Sequence, residues 1–453
     1  MRMINRTIRR WLLAGLIAVL AFAAAACSGG SSGGTSSGST GGSSGGSGSG
    51  GQSQGQSQSA AGTSAEPVKI SFLHWRTEDE PALREIIKRF EAEHPNVTVS
   101  MEIVPPENYV QTVKTRAISN EIIADVFYMH PGDLFITVAK AGRLLDLTDE
   151  PMTGRYHDNI LPAGQYDGRQ YGYPYTANYV GVIYNKGLLD RLGLTFPGTW
   201  EEFLEMCEKL KAAGIAPLAN GAADGYPVRH AMYPILSQLA HQSSYGSVQN
   251  YIAAMMEGKI PVSDPVLQEG AEMFRILAEK GYYPMENLSS KYDQASALFA
   301  KEEAAILMTG SWAMSSVLQQ NPNIELGLAT IPLRSGPAYG INMIGLIVGI
   351  DSTSKHQAEA KAFLDFLSSP EIAKLHQEMT LIPTLIKGIE SDDKLLKLIS
   401  EKMANAVPAM SDFSTKQAYM DAIGDLMARV LSGQSLQEAT GEVQKRFDSI
   451  AKE

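Results

Sequence analysis

An alternation of two periodicities between Val68 and Thr148 constrains the fold most. "VKISFLHW" is a short, mostly apolar strand pattern. "EDEPALREIIKRFEAEHPN" places Leu83, Ile86, Ile87 and Phe90 at helical spacing, with Pro81 suited to the first turn. "VTVSMEIV" puts Val97, Val99, Met101 and Ile103 on one face at period two. A second helical stretch, "NYVQTVKTRAISNE", leads to the apolar "IIADVFYMH", and "GDLFITVAKAGRLLDLT" is helical again. Strand, helix, strand, helix, strand predicts βαβ units, hence a parallel sheet with helices on both faces.

Further along, "TWEEFLEMCEKLKAAGI" carries Trp200, Phe203, Leu204, Cys207 and Leu210 on one helical face. Thr199 and Glu202 fit a capping box, and Gly214 sits where a C-terminal cap belongs. Cys207 therefore reads as a buried small hydrophobe. "EEAAILMTGSW" predicts a strand running into a turn before a helix, and "IGLIVGI" a buried strand. "KHQAEAKAFLDFLSSPE" predicts an amphipathic helix stopped by Pro370, and the chain from about Asp392 reads as helical with polar faces.

From Val68 to the last residue, Glu453, the chain is longer than the roughly 250–300 residues that one core serves, so two lobes are expected. The segment before it has a different character. Arg2, Arg6, Arg9 and Arg10 precede an uncharged run from Trp11 to Ala26, the pattern of a secretory signal too short for a spanning helix. Residues 28–64 are mostly Gly and Ser, predicting a flexible coil with a reach of roughly 35 Å.

Formal charge is −11, and removing the four N-terminal arginines makes it −15. An acidic body with scattered lysines argues against a nucleic-acid partner, because phosphate binding needs a concentrated basic face. The histidines show no HExxH spacing, and two distant cysteines make no CxxC site, so no metal is expected. GxGxxG after a strand, a P-loop and a G-x-S-x-G elbow are all missing, so no cofactor and no catalytic residue are assigned.

Aromatic and polar residues gather at predicted strand ends: "HWRTED", "YMHPGD", "YGYPYTANY" and "TGSW". Ligands of open α/β sheets bind beyond the carboxyl ends of the strands. A sugar ring offers apolar faces to Trp or Tyr and a rim of hydroxyls to polar side chains. Trp75 and Trp312, both at strand exits, point to that chemistry.

Taken in order, these segments resemble the bacterial extracellular solute-binding proteins of the sugar-binding class (family 1), which deliver ligands to ABC importers. "ISFLHWRTEDEPALREIIKRFEAEHPNVTV", "ADVFYMHPGDLFITVAKAGRLLDLT", "DGRQYGYPYTANYVGVIYNKGLLDRLGL", "PGTWEEFLEMCEKLKAAGIAPLA", "AAILMTGSWAMSSV" and "AKAFLDFLSSPE" carry the resemblance across nearly all of 68–453. It implies an α/β periplasmic-binding-protein fold of two lobes, each a mainly parallel sheet flanked by helices, with a hinge and a ligand cleft between them. Lobe one would be 68–177 plus 328–385, and lobe two 178–327 plus 386–453. The function implied is capture of a sugar, an oligosaccharide by preference, through cleft closure and delivery to the permease subunits, without catalysis and as a monomer.

Carried residue by residue, the resemblance implies ligand contacts from Trp75, Arg76, Glu78 and Asp79 after the first strand. Met129 and His130 stand at the third strand's exit, where the family often has an aromatic and Met129 departs from it. Tyr175 and Asn178 match the hinge, with Tyr179 beside them, and Gly310 and Trp312 match the Gly-x-Trp of lobe two. Tyr339 and Asn342 follow the second crossover; Asp412 and Phe413 resemble a segment lining some oligosaccharide-binding members. Tyr226 and His230 are weaker candidates, and Asp125 is expected to be structural.

"AAAAC" resembles a lipobox, with Ala24 where the pattern usually has Leu. Residues 1–26 would then be a lipoprotein signal peptide, with Cys27 carrying lipid such as palmitate. Residues 27–66 would tether the body to the extracytoplasmic face of the cell membrane. The alternatives are a surface glycan-binding adhesin or glycoside hydrolase, and a sensing receptor docking on a membrane kinase.

Overall fold

A computed structural model describes residues 66–452 except Asn120 and Gly225. The signal segment, Cys27 and most of the Gly/Ser tract lie outside the described residues.

The strands in chain order are β1 Val68–His74, β2 Val97–Ile103, β3 Val126–Met129, β4 Gln165–Tyr166, β5 Arg169–Gln170 and β6 Tyr173–Val180. They continue with β7 Val182–Asn185, β8 Ala216–Ala219, β9 Ala304–Leu307, β10 Leu326–Ala329, β11 Ile341–Ile350 and β12 Val407–Pro408. One sheet runs β12-β11-β3-β1-β2, with β6 also paired to β11; the other runs β10-β7-β9-β8. β1 lies parallel to β2 and β3, as the βαβ pattern requires. The second sheet is mixed: β8 and β9 are parallel, whereas β7 is antiparallel to both β9 and β10. The expectation of two α/β units is met, but both sheets are mixed: parallel pairing dominates around β1, whereas β11 is antiparallel to both β3 and β6. Strand β7 follows β6 after only Gly181 and so enters the second sheet without a crossover helix.

Each sheet has its own core. Around the first, Ile70, Phe72 and Val126 pack with Phe90 and Phe363 from flanking helices. Around the second, Ile183 and Ile306 pack with Phe203, Phe274 and Leu426. β6 and β11 run antiparallel and each passes from one core to the other. Tyr173 and Tyr175 belong to the first core and Tyr179 and Val180 to the second; Ile341 belongs to the second and Leu346 to Ile350 to the first. The β6–β11 register shifts at Gly345. A Cβ on Gly345 would strike the Thr176 hydroxyl and the Asn178 amide, so the close approach needs glycine there.

Helix Glu80–Glu93 buries Leu83, Ile86, Ile87 and Phe90, and Pro81 is in its first turn. Helix Trp200–Ala212 is capped by Thr199, which accepts the Glu202 N–H at 3.3 Å, and Gly214 closes it at a φ of +77°. Cys207 is fully buried on that helix, and burial pushes its thiol up to about 12, as expected for a packing residue. Met206 joins it in the core, while Leu204 is half-buried.

Pro370 does more than stop the helix Gln357–Leu367. It opens the next one, Pro370–Thr380, where its missing N–H costs nothing. The C-terminal stretch is not polar on all faces: helix Gln417–Leu431 buries Tyr419, Met420, Ile423, Leu426, Met427 and Val430. Among the described residues no helix is long and apolar enough to cross a membrane.

Two buried polar clusters pin the first core. The Asp125 carboxylate accepts from the Ser71 backbone and hydroxyl at 2.7 Å and from the Ser354 hydroxyl at 2.5 Å. Arg143 Nη2 meets Asp351 Oδ2 at 2.8 Å. Asp125 is thus structural, as the sequence suggested.

Candidate functional site

The exits of β1 and β3 lie side by side because both strands are parallel neighbours. Trp75 and His130 follow them directly, and their rings meet with centroids 4.0 Å apart at 35°. Tyr109 backs the indole at 4.9 Å. Arg76, next in the chain, is buried. Its Nε donates to Asp79 Oδ2 at 2.6 Å, and its Nη2 lies 3.3 Å from Glu78 Oε1. His376 Nε2 approaches the same Asp79 oxygen at 3.3 Å. Burial opposes the Asp79 charge, but Arg76 and His376 outweigh it and hold the carboxyl at about 2. Glu78 is moved the other way, upward, by burial, against the pull of Arg76.

The second sheet supplies Trp312, one residue before helix Ala313–Gln320. Its turn is tied to the crossing strand: Tyr179 N–H donates to the Ser311 hydroxyl at 3.2 Å, and Ser311 N–H returns a bond to Tyr179 O at 2.8 Å. Val180 bridges to Gly310. A Cβ on Gly310 would run into the Trp312 ring itself, so glycine fixes where the indole lies. His230 packs edge-on to Trp312 at 4.8 Å. Tyr292 accepts a hydrogen bond from the Trp312 side chain and lies near enough to Glu78 to feel its charge. Burial, with Arg229 adding to it, lowers His130 to about 4 and His230 to about 3; His130 itself adds to the shift at His230. Both imidazoles are therefore neutral at pH 7. These side chains form a run of rings in two groups: Trp75 with His130 at the strand exits of the first sheet, and His230 with Trp312 and Tyr292 at the second. His130 lies near enough to His230 to affect its charge.

Asn178 is fully buried on β6, one residue before Tyr179, whose backbone is bonded to the turn that carries Trp312. Neither its carbonyl oxygen nor its amide nitrogen has a hydrogen-bond partner within the protein, and the Thr176 hydroxyl and Asn342 Oδ1 are in the same condition. A buried amide left unpaired costs about 1–3 kcal/mol, so such a group calls for a partner. Asp412, half-buried, accepts the Ile344 N–H at 3.1 Å from the middle of β11. Burial pushes its carboxyl up to about 8.

Not every expected residue joins the ring run. Met129 is buried in the first core, with its Cε against Gly349 on β11, so its side chain faces the strand pairing. Tyr175 is buried there too, 5.1 Å from His376. Tyr339 packs on His241 at 5.1 Å, and its N–H donates to Gln238 Oε1 at 2.7 Å. Phe413 is half-buried against the second core, and the side chain of Tyr226 lies outside the described part. Conversely, Tyr109, His376 and Tyr292 were missed. Each reaches the site from its own helix, and nothing in its local sequence sets it apart. Among the described residues, no three His, Cys, Asp or Glu side chains group as a metal site.

Residues 75–374 match the family model of the bacterial extracellular solute-binding proteins. The chain belongs to that family. This solute-binding protein is 28% identical over 335 residues to a multiple sugar-binding protein of Streptococcus mutans, covering 74% of this chain and 79% of the relative. It is 22% identical over 358 residues to a melibiose/raffinose/stachyose-binding protein of Bacillus subtilis, covering 74% and 78%. Its fold is that of SBP RafE in complex with raffinose: TM-score 0.75 and 24% identity, covering 84% of this chain and 99% of that one. A chitin oligosaccharide binding protein gives TM-score 0.75 at 24% identity, covering 85% and 100%. In this solute-binding protein the ring run and Asn178 occupy the junction of two cores joined by β6 and β11.

Proposed function

We propose that this solute-binding protein captures an oligosaccharide between its two lobes and hands it to the membrane subunits of an ABC importer. The lobes would be the bodies around the two cores, and β6 and β11 the crossovers about which they close. The Asn178 amide carries the reading: a buried donor and acceptor, unpaired within the protein, beside the Trp312 turn. Sugar hydroxyls donate and accept at once and match it, while their C–H faces match the rings. Relatives named for sugars support the same class. Closure needs only that the ligand favour the closed form, and no covalent step is required.

Titration calorimetry with raffinose, stachyose and chitin oligosaccharides tests it. At least one should bind, and Trp312→Ala should weaken that binding by about 30-fold, the loss of a ~2 kcal/mol aromatic anchor. If every sugar is silent while a peptide or polyamine binds, the reading is wrong.

The anchor is proposed with it. Cys27 as a lipidated N-terminus would hold the body by a tether of roughly 35 Å. Cys27→Ser should move the protein from the membrane fraction to the medium; a mutant as membrane-bound as the parent rules the anchor out.

A further inference from the structure

We infer that the site selects uncharged oligosaccharides and rejects acidic ones, those bearing uronate, sulfate or phosphate groups. The inference rests on the sugar-receptor reading and concerns the charge of the ligand.

Two guanidiniums stand at the ring run, and both already have carboxylates. Arg76 lies between Asp79, at 2.6 Å, and Glu78, at 3.3 Å. Arg229, whose charge reaches both His130 and His230, is held by Asp421 at 3.1 Å. The two imidazoles that line the junction are neutral at pH 7, as derived above. Carboxylates therefore outnumber free positive charge at the site, and Asp293 beside Tyr292 adds to that side by raising Glu78.

The crossing strand β6 adds buried neutral groups that have no hydrogen-bond partner within the protein. Asn178 and Thr176, which come together at Gly345, are both buried and neutral. Hydroxyls on the ligand can both donate and accept among them, whereas a ligand carboxylate can only accept. Burying that anion against Glu78, Asp79 and Asp421 without a free cation costs far more than burying a hydroxyl. The same arginines would have made an acid-sugar site had they been left bare, because a guanidinium fork matches a carboxylate. Their pairing is what decides the class.

The test uses the full chain in detergent and matched pairs of probes: galactotriose with trigalacturonate, and xylotetraose with its glucuronic-acid-substituted counterpart. In the pair that binds, the uncharged member should bind about 100-fold or more tightly than the acidic one. Asp421→Asn, checked for a normal unfolding transition, frees Arg229 and should narrow that ratio about tenfold. Equal or tighter binding of an acidic member overturns the inference but leaves the sugar reading standing. An Asp421→Asn ratio identical to the parent's overturns the assignment of neutrality to paired arginines. If no sugar of either kind binds, the receptor reading itself fails, and the inference with it.

Discussion

Arg76 donates from Nε to Asp79 Oδ2 across 2.6 Å, and both side chains are buried. Removing one member of such a pair strands the other's charge in a low-dielectric setting, at a cost of about 3–5 kcal/mol. Asp79→Ala should therefore lower unfolding stability by about that much in urea denaturation. The pair also has a pH signature. Asp79 is held at about 2 in the folded state, below its ordinary 3.8. Its contribution is complete above about 4 and is lost as pH falls toward 2. That part of the acid limb should be shallower in the variant.

Gly310→Ala should weaken ligand binding about tenfold, some 1.4 kcal/mol, without removing any ligand-facing atom. The added methyl would occupy the space of the Trp312 ring and displace it. Calorimetry on the variant, with tryptophan fluorescence to report the displaced indole, checks this. Unchanged affinity would mean that the position of Trp312 is not critical.

His74, His130 and His230 are held at about 4, 4 and 3, chiefly by burial. The unfolded chain takes up their protons near 6.5, while the folded chain does not until well below 5. Stability should therefore fall as pH drops from about 6.5 to about 4, with a slope approaching three protons. Urea denaturation across that range measures it, and His130→Gln should reduce the slope by about one proton.

Asp412 works in the opposite sense. Its folded value of about 8 lies above its ordinary 3.8, so the folded state keeps a proton that the unfolded state has lost. Its effect on stability becomes steadily less favourable as pH rises from about 4 to about 8. Asp412→Asn keeps an oxygen to accept the Ile344 N–H and removes the penalty. The variant should be more stable than the parent at pH 8 and nearly equal to it at pH 4, as read by thermal unfolding.

Much of the fold was legible because it is written in local period. Leu83, Ile86, Ile87 and Phe90 predicted the buried face of their helix, and Thr199 and Gly214 the two ends of helix Trp200–Ala212. Trp75 and Trp312 were legible as aromatics at strand exits. Their neighbours were not. His376 lies almost 300 residues from Asp79, on a helix whose own pattern describes only its packing. The polar stretch after Asp392 misled because the buried face of helix Gln417–Leu431 fits helices contributed from earlier in the chain.

The sequence by itself determined two α/β bodies, the family, and two aromatic positions, since periodicity and ordered motifs are properties of neighbours along the chain. Only the tertiary structure decided that Arg76 and Arg229 are already neutralised, that Met129 faces the sheet, and that the Asn178 amide is buried without a partner. Charge pairing and desolvation act through space at a few ångströms, and they join residues between which the sequence records no relation.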